Sequence, residues 1–131
     1  MKKTGIQNAE ISAVLASIGN TQYVVVADVG LPIPRGVPCI DLALTAGIPS
    51  FLEVLKAIKA EMVIESWVLA KELKAKRPGA YAEIENEMTP LSGQLVPHEK
   101  LKELSREAYA IIRTGETAAY ANIILIAGVN F

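Results

Sequence analysis

Histidine, cysteine and aromatic residues are scarce in this chain, and a long apolar run is missing. Among its 131 residues there are one histidine, one cysteine and an aromatic content of 5%. One cysteine excludes an intramolecular disulfide, and one histidine with scattered carboxylates offers no cluster spaced to bind a metal. The glycines form neither a phosphate loop nor a dinucleotide fingerprint, and no nucleophile elbow is present. We therefore expect neither a metal nor a nucleotide cofactor.

The chain also lacks a net charge and a basic segment. Its 13 basic residues are balanced by 14 acidic ones, and no basic run is interleaved with aromatic residues. Nucleic acids and anionic membrane surfaces are therefore poor candidates for partners. Hydrophobic residues make up 51% of the chain, yet no apolar stretch reaches the roughly 20 residues that span a bilayer. This apolar content instead favours burial between copies of the chain in a homo-oligomer.

The single thiol and the N-terminus both bear on the cellular compartment. Cys39 lies between Pro38 and Ile40, where a thiol most simply serves as a small apolar filler. The first three residues carry the positive charge of a secretory signal, but the polar segment 4–10 interrupts any apolar region that would follow. We therefore expect no export and a reducing cytoplasm.

The hydrophobic pattern alternates between the period of strands and the period of helices. It predicts strands at 22–28, 37–44, 62–70, 94–96, 109–113 and 121–125, and helices at 8–18, 51–62, 82–88 and 98–106. The proline-rich segment 31–38 is predicted to be a stiff loop, and 71–82 an exposed loop. Alternating strands and helices predict one α/β domain spanning 1–131, with at least part of the sheet parallel.

Asp28 is the first candidate for a ligand contact. It ends an apolar, β-branched strand and is followed by Val29-Gly30. Open α/β sheets bind ligands beyond the carboxyl ends of their strands, which is where this carboxylate is expected. The alternative interpretation is an aspartate that only forms the turn before Gly30.

His98 and Lys102 form a second candidate, because residues four apart share one face of a helix. Such a pair can bind hydroxyl groups, or the lysine charge can keep the imidazole neutral. The alternative is a solvated helix face, since Glu99, Lys100 and Glu103 surround the pair.

Tyr120 and Asn122 form a third candidate near the end of the chain. Residues two apart in an extended segment point to the same face, so a phenol and a carboxamide are expected to project together. The Thr114-Gly115 turn precedes them. This chemistry is typical of a site for a sugar or another small polar ligand. The alternative interpretation is a hairpin turn followed by an edge strand.

Taken together, the motifs of the whole chain resemble the D-ribose pyranase family. The motifs are Lys2-Lys3, Gly5-Ile6, Asn8, Leu15, Gly19, Ala27-Asp28, Gly30-Leu31-Pro32, Pro34, Ile40-Asp41-Leu42, His98-Glu99, Lys102, Ile112-Arg113-Thr114-Gly115-Glu116 and Tyr120-Ala121-Asn122. Each motif is weak, but their order and spacing are specific. The L-fucose mutarotases are the sister group, and the Arg-Thr-Gly-Glu tail is more similar to the ribose branch.

The resemblance implies a three-layer α/β/α fold with a mixed, partly parallel sheet. It also implies a cofactor-free cytoplasmic isomerase that interconverts β-pyranose and β-furanose forms of D-ribose, assembled as a ring-shaped homodecamer with sites between subunits. The Tyr-x-Asn pair would then reach into a neighbour's pocket. The positions matching the family's sugar-binding residues are Asp28, His98, Lys102, Tyr120, Ala121 and Asn122.

Position 20 departs from the family pattern. The family has a Gly-His pair whose histidine is its proposed proton donor, whereas this chain has Gly19-Asn20. An amide forms hydrogen bonds but does not titrate. Loss of one general acid typically costs roughly 10²–10⁴-fold in rate, which Asp28 and His98 would offset in part.

Three interpretations of Asn20 stay open: an engineered substitution that traps sugar, a natural shift of mechanism or substrate, and a non-catalytic sugar binder. A mutarotase for another sugar, such as L-fucose, is a further alternative. The sequence does not choose among them.

Overall fold

The computed structural model, which describes residues 1–131, contains six strands and five helices. Their bounds are α1 Ala9–Ser17, β1 Tyr23–Ala27, β2 Cys39–Asp41, α2 Phe51–Lys59, β3 Ile64–Ala70, α3 Lys71–Lys76, α4 Pro78–Met88, β4 Ser92–Val96, α5 His98–Ser105, β5 Ala110–Arg113 and β6 Ile123–Ala127. No helix has the length and apolar character needed to cross a bilayer. The proline-rich segment 31–38 contains no helix or strand, as predicted.

The six strands form one sheet in the order β2-β5-β1-β6-β3-β4. β1 pairs in parallel with β5, β5 with β2, and β3 with β4. β6 lies between β1 and β3 and is antiparallel to both. Five strands therefore run in one direction and β6 alone runs in the other, which confirms the predicted mixed, partly parallel sheet.

Helices cover both faces of this sheet. Along β1, Val24 and Val26 point to one face, while Val25 and Ala27 point to the other. The first face packs against α1, α2, α3 and α4, and the second packs against α5 and segment 31–38. Burying each large aliphatic side chain in these layers stabilises the fold by about 1.5–3 kcal/mol. The predicted three-layer α/β/α arrangement is confirmed.

Two helix starts follow directly from local sequence. Asn8 accepts a hydrogen bond from the backbone N–H of Ile11 at 2.9 Å and caps α1. Ser50 caps α2 by accepting from the N–H of Glu53, whose carboxylate accepts from the N–H of Ser50 in return. These bonds to Ser50 also lower the pKa of Glu53. Such caps satisfy N–H groups that have no partner inside a helix.

The prediction of a loop at 71–82 is wrong, because this segment forms α3 and the beginning of α4, although most of its residues are exposed as predicted. Leu73 is fully buried in the core and holds α3 against the sheet. Pro78, which was interpreted as a loop signal, occupies the first turn of α4. Proline is favoured there because its missing N–H would have no partner and its fixed φ suits a helix.

The alternative of a hairpin and an edge strand near the C-terminus is also wrong. β5 and β6 are not neighbours, since β1 lies between them. β6 is a central strand that hydrogen-bonds to β1 and β3 on its two sides. Its side chains are buried nearly throughout, which explains why the segment reads as an almost continuous apolar run.

The contact between β3 and β4 requires a glycine at position 93. A Cβ placed on Gly93 would lie 1.9 Å from the ring of Trp67. We expect Gly93→Ala to lower the free energy of unfolding by roughly 1–3 kcal/mol, the usual cost of overpacking. Urea denaturation followed by circular dichroism measures the change. The matched control is Gly79→Ala, where no heavy atom lies within 4 Å; equal stability of both variants would contradict the prediction.

Candidate functional site

The sheet topology brings several chain segments together at one edge. The carboxyl ends of the five parallel strands meet there with the amino end of β6. A cleft of about 440 Å³ opens at this edge, within the roughly 300–1,000 Å³ typical of small-molecule sites. Its lining residues are Asp28, Val29, Gly30, Leu31, His98, Glu116, Thr117, Ala119, Tyr120 and Asn122.

A buried polar pair forms the floor of the cleft. Asp28 is 8% exposed and Asn122 is 1% exposed. The Asn122 amide donates to Asp28 Oδ2 at 3.0 Å, and its Oδ1 accepts from the backbone N–H of Asp28 at 2.9 Å. Asp28 Oδ1 also accepts from the N–H of Gly30 at 2.8 Å. Asp28 therefore forms the turn before Gly30 and also lines the cleft. Its contact with a ligand stays a prediction.

His98 and Tyr120 form an aromatic wall above this pair. Their ring centroids lie 5.1 Å apart in a T-shaped arrangement. His98 Nδ1 is buried and has no hydrogen-bond partner. An orphaned buried polar atom costs about 1–3 kcal/mol, so it marks a group that a ligand can satisfy. His98 itself is half-buried, whereas Glu99, Lys100 and Glu103 beside it are exposed, so the solvated helix face describes its neighbours better than the imidazole.

The backbone around Tyr120 differs from the extended segment predicted for Tyr120 and Asn122. Tyr120 lies in a turn with φ +67° and directly precedes two irregular residues before β6. Positive φ is uncommon for a residue with a side chain and often accompanies a functional site. The two side chains still line one cleft, because the turn, not a strand, directs the phenol.

The Tyr-x-Asn pair lies in the cleft of its own chain. Asn122 is hydrogen-bonded to Asp28 of the same chain. The expectation that the pair also reaches into a neighbour's pocket stays a prediction. Ala121, between them, is 3% exposed and packs in the core. Its methyl group does not line the cleft.

Lys102 is placed away from this cleft. Its ammonium lies 2.7 Å from Glu99 Oε1. It lines a separate groove of about 700 Å³ between segment 32–34 and α5. That groove is larger than the cleft, but most of the residues that line it are exposed, and it contains no buried polar pair like Asp28 and Asn122. The contribution of Lys102 to sugar binding stays a prediction.

Asn20 lies at the opposite edge of the sheet from Asp28. It precedes β1, whereas Asp28 follows it. The five residues of β1 correspond to roughly 16 Å at about 3.3 Å per residue. The Asn20 side chain is exposed and forms no hydrogen bond within the chain. It lines a groove with Ile18, Val63, Val129 and Phe131.

Glu116 was quoted in a motif but was not predicted to be functional. One carboxylate oxygen accepts from the N–H of Phe51 at 3.3 Å, and the other accepts from the N–H of Ala118 at 3.2 Å. Glu116 thus links the start of α2 to the turn that contains Tyr120, and so holds this turn in place. Its acidic character, next to a Thr-Gly turn, was the only signal in the sequence.

The fold and the cleft define a small α/β protein with a partly polar cleft at one edge of its sheet. Residues 1–130 match the RbsD / FucU transport protein family. The D-ribose pyranase of Geobacillus thermodenitrificans (strain NG80-2) is 51% identical over 131 residues, spanning 100% of this chain and 99% of the relative. The D-ribose pyranase of Pseudomonas fluorescens (strain Pf0-1) is 48% identical over 134 residues, with 100% of both chains covered.

Solved structures of similar fold come from the same two groups of sugar proteins. The structure of Bacillus subtilis RbsD complexed with D-ribose has a TM-score of 0.96 and 42% identity, with 100% of both chains covered. The fucose mutarotase of Streptococcus pneumoniae in complex with L-fucose has a TM-score of 0.74 and 28% identity, covering 95% of this chain and 94% of that one. The chain therefore belongs to the RbsD / FucU family.

The buried pair generates a prediction about stability. We expect Asn122→Asp to lower the free energy of unfolding by about 1–3 kcal/mol or more, because a carboxylate cannot donate to Asp28 and places a like charge beside it. Thermal unfolding in a calorimeter measures the loss. Asn130→Asp, at an exposed position, is the matched control and is expected to leave the melting temperature unchanged. Equal melting temperatures for the two variants would show that the pair contributes nothing.

Proposed function

We propose that this protein is a D-ribose pyranase, an isomerase that interconverts the β-pyranose and β-furanose forms of D-ribose. The observation that carries the proposal is the Asp28–Asn122 pair beside His98 and Tyr120 in a single cleft. Full-length relatives named D-ribose pyranase support the choice of substrate. Identity to the ribose-bound structure is 42%, against 28% for the fucose-bound one, so D-ribose is favoured over L-fucose.

The proposed contacts follow the chemistry of each side chain. Asp28 and Asn122 present oxygen acceptors and an amide donor, which suit the hydroxyl groups of a pentose. His98 adds an unpartnered ring nitrogen, and Tyr120 adds an apolar ring face with a hydroxyl at its tip. Ala121 would take part only through its backbone, since its side chain is in the core. No cofactor is assigned to the reaction.

Ring opening needs two proton transfers, and ring closure needs two more. A base removes the proton of the anomeric hydroxyl, the bond between C1 and the ring oxygen breaks, and that oxygen takes up a proton to give the open-chain aldehyde. The 4-hydroxyl then adds to C1, and its proton is transferred to the aldehyde oxygen. Asp28 and His98 are the side chains proposed to carry these protons, because each is titratable and lines the cleft.

Position 20 belongs to this mechanism only if a second copy supplies it. Asn20 and Asp28 are separated by the full length of β1 in one chain. Exposed apolar residues flank Asn20, with Val63 45%, Val129 42% and Phe131 99% exposed. Such an exposed apolar patch favours association between copies of the chain. We therefore propose a homo-oligomer in which the sheet edge that carries Asn20 faces the cleft of a neighbour. The resemblance to the family suggests a decamer.

The proposed compartment is the cytoplasm. Cys39 is a free, half-buried thiol, and free thiols persist where the environment is reducing. Burial, reinforced by the charge of Asp41, raises the pKa of this thiol, although Arg113 opposes the shift. A largely protonated thiol is a poor nucleophile, which agrees with a packing role.

Saturation-transfer NMR on D-ribose tests the activity directly. Exchange between pyranose and furanose signals is expected to be faster with the protein than in a protein-free control. Asn20→His is expected to raise the rate further, by up to roughly 10²–10⁴-fold, because it restores a titratable group. Equal rates for the two forms would show that position 20 is not the acid. Ribose binding without any acceleration would instead identify a sugar-binding protein that does not turn over.

Co-expression of two forms tests whether position 20 acts on a neighbour. The Asn20→His/Asp28→Asn double variant alone is expected to be inactive. Mixed assemblies with the unmodified chain are expected to exceed the activity of either form, because an intact cleft then meets an introduced histidine. Activity that never exceeds that of the unmodified chain would contradict a role for position 20 in the cleft of a neighbour. Light scattering on each sample reports the subunit number.

A further inference from the structure

The two rings of the cleft wall receive support from one short helix outside the cleft. α3 leaves the carboxyl end of β3 at Ala70 and carries Glu72 and Lys76 one turn apart, so both point to the same side. Neither residue lines the cleft. We propose that Glu72 and Lys76 are positioning residues that fix His98 and Tyr120, respectively, for sugar binding and exchange. This inference deepens the proposed function, because it concerns the same cleft.

Glu72 supplies the cap that α5 lacks. The first N–H groups of a helix have no partner inside it, and Pro97, which precedes α5, has no side chain that can accept a hydrogen bond. Both carboxylate oxygens of Glu72 accept from the backbone N–H of His98, at 3.1 and 3.0 Å. The bond fixes the first residue of α5, which is His98 itself. A negative charge at a helix N-terminus is also favourable.

The ionisation of Glu72 fits this role. Partial burial opposes its charge, but the backbone N–H groups of His98 and of Glu72 itself lower the pKa of the carboxyl overall. A charged acceptor forms a shorter and stronger hydrogen bond than a neutral one. Glu72 therefore holds His98 as a carboxylate at neutral pH.

Lys76 supports Tyr120 in a comparable way. Its ammonium lies 5.3 Å from the centroid of the Tyr120 ring and 3.4 Å from the Tyr120 hydroxyl. The tyrosine needs outside support because its backbone has a positive φ, which is unfavourable for this residue. No other side chain is hydrogen-bonded to the Tyr120 hydroxyl within the chain. Leu73, between Glu72 and Lys76, is fully buried and anchors α3.

His98 is the only histidine of the chain, so its ring signals in a proton NMR spectrum of the untagged protein report on its position without ambiguity. We expect Glu72→Ala to shift these signals and to lower the rate of ribose exchange by roughly 10–100-fold, as a misplaced group does. Glu72→Gln keeps one acceptor for the N–H of His98 and is expected to restore most of the rate. Glu83→Ala, at an exposed position of α4, is the control.

A purely structural role for Glu72 would give a different result. The melting temperature would fall while the His98 signals and the exchange rate per folded protein stayed unchanged, and the inference would be overturned. If Glu72→Ala does not fold, Glu72→Asp replaces it, because the shorter side chain withdraws the carboxylate from His98. Signals and rate unchanged in Glu72→Asp would overturn the inference equally.

The lysine offers a closely matched pair of variants. Lys74 and Lys76 both lie on α3, each 5.3 Å from the centroid of a tyrosine ring, but Tyr81 lies outside the cleft. We expect Lys76→Ala to shift the His98 signals, because the Tyr120 ring that packs on the imidazole moves, and to weaken ribose binding several-fold by calorimetry. Lys74→Ala is expected to change neither. Identical results for the two variants would reject the role of Lys76.

Failure of the proposed function can be distinguished from failure of the positioning role. If the unmodified protein does not accelerate ribose exchange, the pyranase assignment fails, while the His98 signals of the same variants still test the positioning. Shifted signals in Glu72→Ala and Lys76→Ala, with Glu83→Ala and Lys74→Ala unchanged, would then support the positioning alone. Unshifted His98 signals in Glu72→Ala and Lys76→Ala would overturn the positioning role of Glu72 and Lys76, whether or not the protein is an enzyme.

Discussion

The reversed direction of β6 is the constraint on which the cleft depends. Because β6 runs against its two neighbours, its amino end lies where the other strands end. Asn122, just before β6, therefore meets Asp28, just after β1. A parallel strand in this place would have carried Asn122 to the far edge of the sheet. The hydrogen bonds between the two side chains then satisfy polar groups that burial would otherwise penalise.

Local sequence predicted the parts of the fold that local interactions determine. The helices predicted to begin at residues 8 and 51 begin within one residue of those positions, where the side chains of Asn8 and Ser50 cap them. The apolar run before Asp28 predicted a buried strand because both faces of that strand are covered. Strand order depends on pairing between distant segments, so the central position of β6 was not visible in its own residues. The short α3 was missed because it depends on the burial of Leu73.

The sequence predicted which residues line the cleft better than it predicted how they are arranged. Asp28, His98, Tyr120 and Asn122 lie together in the cleft, but the turn that directs Tyr120 has a backbone conformation that no periodicity indicates. Lys102 shares a helix with His98, yet a salt bridge holds it elsewhere. Glu72 acts through a backbone N–H, and such contacts leave no pattern in a single sequence. The role proposed for position 20 depends on a second copy, which one chain does not reveal.

Trp67 gives this fold an internal optical probe. It is the chain's single tryptophan, and it lies on β3, 6% exposed, with its indole N–H donating to the carbonyl of Leu91 at 3.1 Å. Its emission therefore reports on the seam between β3 and the outermost strand β4, on the side of the sheet away from α5. Tryptophan fluorescence and the histidine resonances thus report on two separate regions. Local unfolding at β4 can therefore be distinguished from rearrangement around the cleft.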